Sequence, residues 1–299
     1  LKKILSGLTA CFLGRVFAGS ILYAMLISGA HADCRVVDDK GAFIHLQNPT
    51  QRIISLAPDI TEILFKVGAG KQVAGVIQGS DYPQEARHIT PVGSYTGIDL
   101  EKIISLHPDL VVTWGNTFSR QIEALRKFAI PVYVSEPEQL DDIPRTMNNL
   151  GCLTGNRAIS HREAEYFSRQ LERLTIKYRD KKQIKVFYQI GSYSLFTVNK
   201  SSWINQVIRL CGGMNVFAEA RLPAAEVSWE AVVTASPQVI ISDAEDANWK
   251  ARWLQWRSIP AVRNNYLFSI NPDLIERASP RLLEGAEQMC QMIEAVRKR

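Results

Sequence analysis

Two short, nearly continuous apolar runs, at residues 52–56 and 185–190, are rich in β-branched and aromatic side chains and end in turn residues, which predicts two opening strands. Behind each lies a stretch with helical spacing, at 59–67 and 201–211, the second stopped by Gly212 and Gly213. Further along, IDLEKIISLHPDLVVT at 98–113 matches VSWEAVVTASPQVIIS at 227–242 without a gap. In each copy an N-cap residue, Asp99 or Ser228, opens a short amphipathic helix, and Pro108 or Pro237 stops it before a buried strand. Strand and helix alternate in both halves, so the pattern predicts two similar α/β lobes, each with a parallel sheet.

Between them, residues 156–182 are dense in Glu, Arg, Lys and Gln, with Ala164, Phe167, Leu171 and Leu174 at helical spacing. This predicts one amphipathic helix of about 35 to 40 Å. The expected organisation is a lobe over 33–155, a linking helix over 156–183 and a second lobe over 184–299, each lobe long enough to bury its own core. A single rigid rod between lobes predicts only a modest hinge motion.

Residues 1–32 stand apart. Lys2, Lys3 and Arg15 precede an apolar run at 16–28, followed by Ala30, His31 and Ala32. The run is short of the roughly 18 residues that span a bilayer, and the small-residue triplet suits cleavage, so the segment reads as a secretory signal. Asp33 before Cys34 argues against a lipid anchor there. Without this segment the net charge falls from +5 to +2, and no basic patch remains that would argue for nucleic acid. Cys34, Cys152, Cys211 and Cys290 then remain, an even number that permits disulfides in an oxidising compartment; their spacing leaves three pairings open. Catalytic signatures of the GxSxG, HExxH, GxGxxG and Walker types are missing, and the histidines at 45, 88, 107 and 161 lack metal-ligand spacing. Neither a catalytic residue nor a metal site is expected; an exported enzyme is the alternative with least support.

IISLAPDITE at 53–62 and LEKIISLHPDLV at 100–111 resemble the opening strand-and-helix and the signature helix-strand of the helical-backbone class of periplasmic binding proteins, which serve cobalamin, siderophore and haem importers. The resemblance covers essentially all of the chain after residue 32. It implies two Rossmann-like lobes joined by one long helix, with a ligand cleft between them, in the periplasm. SDYP at 80–83, CGGMNVF at 211–217, ERASPR at 276–281 and Cys290 resemble the cobalamin-binding members of that class. That likeness implies a Cys211–Cys290 disulfide, which would close a loop of about 80 residues and contribute about 4 kcal/mol by restricting the unfolded chain. It also implies ligand contacts at Tyr82, Tyr95, Trp114, Phe196, Asp273 and Arg277.

Ligands of open α/β sheets bind beyond the carboxyl ends of the strands, where Tyr82, Tyr95 and Trp114 of the first lobe and Tyr193, Phe196 and Asp273 of the second are expected. An aromatic cleft suits a large, flat, partly apolar molecule. Tyr95, Ala224 and Leu274 stand where cobalamin-binding members carry tryptophan. A haem or an iron-siderophore is the alternative ligand within the same class, with Tyr95 as a haem-iron ligand in the haem case. Cobalamin is in this view a transported ligand and not a cofactor, carried by a monomer. Glu101 and Glu230, equivalent in the repeat, lie in first helical turns, where an acid suits the helix dipole. The resemblance adds that they meet basic residues on the two copies of the permease in an ABC importer, a permease dimer that works with ATPase subunits.

Overall fold

The computed structural model describes residues 33–298 apart from 193, 194, 245 and 247, so the leader expected over 1–32 and Tyr193 lie outside the described residues. An antiparallel hairpin, β1 (Cys34–Val37) and β2 (Phe43–Leu46), comes first. There follow β3 (Ile53–Ser55), α1 (Pro58–Lys66), β4 (Val73–Val76), β5 (Thr90–Pro91) and the tight hairpin β6 (Gly93–Ser94) and β7 (Gly97–Ile98). Then come α2 (Leu100–Ser105), β8 (Leu110–Trp114), α3 (Ser119–Lys127), β9 (Val132–Ser135) and α4 (Asp142–Leu153). Five of these strands form a parallel sheet in the order β5-β4-β3-β8-β9.

The long helix α5 (Arg157–Tyr178) runs 22 residues, or about 33 Å. It is slightly shorter than its charge pattern predicts, because the polar residues after Tyr178 continue as a turn. Beyond it lie β10 (Ile184–Gln189), β11 (Phe196–Val198), α6 (Trp203–Leu210), β12 (Gly213–Asn215), β13 (Ala224–Glu226) and α7 (Trp229–Ala235). The chain ends with β14 (Val239–Ser242), α8 (Pro260–Arg263), β15 (Leu267–Ser269), α9 (Pro272–Ile275) and α10 (Leu282–Arg297). The second sheet is parallel in the order β12-β10-β14-β15, and β11 pairs antiparallel with β13.

Both sheets are covered on two faces, and alternation along the strands sorts their side chains. Ile53, Leu110, Val112 and Tyr133 point to one face of the first sheet, and Ile54, Val111 and Val134 to the other. In the second sheet Val186, Tyr188 and Ile241 oppose Phe187 and Ile240 in the same way. The inner faces do not form two separate cores. One continuous cluster joins them through Ala164, Phe167, Leu171 and Leu174 on the apolar stripe of α5. Each lobe also keeps a buried cluster of its own on the other face of its sheet, around Ile54, Val111 and Val134 in the first and Phe187, Ile240 and Trp253 in the second, while α5 joins the facing sides.

Both disulfide questions are settled by geometry. Cys34 bonds Cys152, tying β1 to α4, and Cys211 bonds Cys290, tying the end of α6 to α10. The repeat emerges as α2–β8 and α7–β14. Its two helices end on residues with left-handed backbone, His107 at φ 47° and Ser236 at φ 51°, each just before the proline that begins the next turn. Asp99 accepts a hydrogen bond from the Lys102 N–H and Ser228 from the Ala231 N–H, so the N-caps read from sequence are formed.

Candidate functional site

The carboxyl ends of the parallel strands carry the loops that hold the expected residues. Trp114 closes β8, and its ring meets the edge of Trp203 at 5.7 Å between centroids and 70° between planes. Trp203 begins α6 in the other lobe, and its indole N–H donates to the Ile275 carbonyl at 2.9 Å. Gln206, one turn on, accepts from the Leu140 N–H at 3.1 Å and donates to the Glu138 carbonyl at 2.7 Å. Tyr95 occupies the turn between β6 and β7 and is 87% exposed, while Phe196 opens β11 and is half-exposed. Tyr82 follows β4, and the Arg281 guanidinium lies 3.9 Å from the centre of its ring, a cation–π contact.

A charged network links the lobes. Arg277, beyond α9, donates through Nη1 to Glu62 at 2.9 Å and Asp81 at 3.0 Å, and its Nη2 lies 2.7 Å from Asp273. Burial opposes the guanidinium's charge, but the hydrogen bonds to Glu62 and Asp81 outweigh it and raise its pKa. Glu62 also accepts from Arg281 Nη1 at 3.2 Å and from the Ser279 hydroxyl at 2.6 Å. Its carboxylate is 1% exposed, and three donors satisfy it. Nearby Asp59, in the first turn of α1, is buried, and that burial pushes its carboxyl up to about 7.

A second polar cluster lies where β10 and β14 end. The Tyr188 hydroxyl donates to Asp243 at 2.7 Å, and the Gly191 N–H donates to the other oxygen of the same carboxylate. Burial first, and then the Asp243 charge, raise the Tyr188 phenol well above its ordinary value. Although Glu276 as a whole residue is exposed, its carboxyl shares a hydrogen bond with Asp243; enclosure of that group, then Asp243, raise its pKa. Among the described residues no group of His, Cys, Asp and Glu side chains is arranged to hold a metal ion.

The structure thus brings Tyr82, Asp273 and Arg277 into one network and sets Trp114 against the opposite lobe, while Tyr95 stands at the tip of the β6–β7 hairpin and Phe196 on the β11–β13 pair. Leu274 is buried on α9, and Ala224 is exposed on β13, opposite Val198. A groove of about 460 Å³ opens beside α5, lined by Phe65, Tyr82, Tyr166, Gln170 and Arg281. Glu62 of the same network also lines it, whereas Trp114, Phe196 and Asp273 do not. Glu62, Asp81, Arg281 and Trp203 were not legible as site residues. Glu62 left one signal, an acid among Ile60, Ile63 and Leu64 on the buried face of α1. Glu101 and Glu230 are exposed in the first turns of α2 and α7, and Glu230 is held below the usual carboxylate range by its own backbone N–H and then the Ser228 hydroxyl.

Residues 53–274 match the family described as periplasmic binding protein. The vitamin B12-binding protein of Vibrio parahaemolyticus serotype O3:K6 is 36% identical over 254 residues, which is 84% of this chain and 92% of that one. The vitamin B12-binding protein of Yersinia pestis strain Pestoides F is 34% identical over 250 residues, 82% of this chain and 87% of that one. Among solved structures, the periplasmic vitamin B12 binding protein of Vibrio cholerae aligns with a TM-score of 0.77 at 32% identity, covering 84% of this chain and 99% of its own. The periplasmic haem-binding protein of Roseiflexus sp. RS-1 shares the fold, with a TM-score of 0.73 at 22% identity over 83% of this chain and 99% of that one. With the family matched across both sheets and relatives aligned over most of their length, the chain belongs to the periplasmic binding protein family.

Proposed function

We propose that this chain is a periplasmic carrier that captures cobalamin or a closely related corrinoid and delivers it to an ABC importer, a permease dimer with its ATPase subunits. The observation that carries the reading is the near full-length likeness to proteins named for vitamin B12 binding. The site is in keeping with it. Tyr82, Tyr95, Trp114 and Phe196 offer apolar ring surface to a macrocycle, and each aromatic side chain can bury roughly 150 to 250 Å². Asp273 accepts hydrogen bonds from peripheral amides. Arg277 is already engaged by three carboxylates, so it acts chiefly by orienting Asp273. The same reading takes residues 1–32 as the export signal, 33–155 and 184–299 as the lobes, 156–183 as the link, and the carrier as a monomer that returns its ligand unchanged.

Calorimetric titration with cyanocobalamin, with haemin in parallel and absorbance spectra of both, tests this directly. We expect saturable one-to-one cobalamin binding in the micromolar range or tighter. Absence of cobalamin binding, together with a haem spectrum that changes in Tyr95→Phe, would assign the ligand to haem instead.

A further inference from the structure

Among the described residues, contacts that join the lobes besides α5 include Trp114 on Trp203, Gln206 on the 138–140 segment, and the network around Glu62. The last differs from the others because its centre is a charge with almost no access to water. Glu62 sits on α1 in the first lobe, yet Arg277, Ser279 and Arg281, all three of its donors, come from one short segment of the second. A buried carboxylate is tolerated only with such partners, and removing one partner of a buried pair is far more disruptive than its net contribution suggests. Lobe separation at this point is therefore set by hydrogen-bond distances.

Arg277 extends the same restraint to the cleft. Its Nη1 is held in the first lobe by Glu62 and Asp81, while its Nη2 donates to the Gly79 carbonyl of that lobe at 3.4 Å and lies 2.7 Å from Asp273. The position lies beside α5, since Glu62 and Arg281 line one groove with Tyr166 and Gln170 of that helix. We propose that Glu62 is a positioning residue for ligand capture, a latch that fixes the spacing of the two lobes beside α5 and holds Asp273 in place through Arg277. The ligand part of this proposal rests on the carrier function argued above.

The test uses protein purified from the periplasm, with spin labels on Lys127→Cys and Arg257→Cys, both exposed and one in each lobe. The four cysteines of residues 33–299 are engaged in disulfides and leave the introduced thiols as the labelling sites. Inter-label distances are measured without ligand, and cobalamin binding is measured separately. In Glu62→Gln we expect a broader distance distribution and cobalamin affinity weakened about tenfold, as the fraction of molecules with the binding-competent spacing drops. A Glu62 with a merely structural role would lower the urea midpoint on mutation and leave the distances and the cobalamin affinity of the folded protein unchanged; that result overturns the proposal. Should Glu62→Gln fail to fold, Ser279→Ala removes one donor and keeps both arginines. It is read by the same two quantities, with a smaller change in the same direction expected, and unchanged values again count against the latch. If the unmutated protein does not bind cobalamin, the carrier function fails while the ligand-free distances still decide the latch.

Discussion

Asp59 is a residue whose cost is concealed by its position. It follows Pro58 at the start of α1, where an acid suits the helix dipole, yet one of its carboxylate oxygens is buried without a hydrogen-bond partner. Burial, with Glu62 as a neighbouring acid, raises its pKa to about 7 in the folded chain. In the unfolded chain it ionises near about pH 3.9. The folded state consequently holds a proton that the unfolded state releases between these values. Stability from this group is complete below the unfolded pKa and is lost as pH rises through the folded one, by at most roughly 1.4 kcal/mol per pH unit. We expect Asp59→Asn to flatten the decline in urea-unfolding free energy between about pH 4 and pH 7; equal slopes for variant and parent would refute the assignment. Such a position is hard to read from sequence, since PDITE fits an exposed helix start as well as a buried one. Glu62 gives more away, because it interrupts the apolar face between Ile60 and Ile63. Its partners, more than 200 residues along the chain, leave no local pattern.

Among elements, the repeat was the most legible feature. Caps, apolar spacing and prolines in both copies predicted α2–β8 and α7–β14, and all four elements formed. The backbone at the helix ends was not legible, because left-handed termini are usually signalled by glycine and here carry His107 and Ser236. The tight turn into Pro108 and Pro237 imposes that conformation, and a Cβ makes it costly. His107→Gly and Ser236→Gly should each raise the urea-unfolding free energy by about 0.5 to 1 kcal/mol, less whatever flexibility glycine adds to the unfolded chain. A loss of stability in both would mean that side-chain packing at these ends outweighs backbone strain. Close helix contacts were similarly silent: a Cβ at Gly151 would collide with Ser160, so α4 and α5 approach as they do only with glycine there.

For the whole molecule, sequence patterns recovered the two parallel sheets and the long helix between them, because each rests on local periodicity. What they did not recover was pairing over distance: the Cys34–Cys152 bond, the meeting of Trp114 with Trp203, and the continuous core. The equivalence of Glu101 and Glu230 is also a property of this scale, since one acid per lobe can meet the two copies of a symmetric permease. Reversing both to Lys should abolish stimulation of ATP hydrolysis by the importer and leave ligand affinity intact, as charge pairs of this kind act mainly on recognition and on-rate. Unchanged stimulation would remove that role. The core threaded by α5 carries a different implication, one for descent. A chain built from a repeated unit has the means to be shuffled unit by unit, but here either half, cut at the helix, would carry away an apolar flank that only the other half covers. The molecule has two matching parts, and the packing of α5 makes them a single unit that is passed on whole.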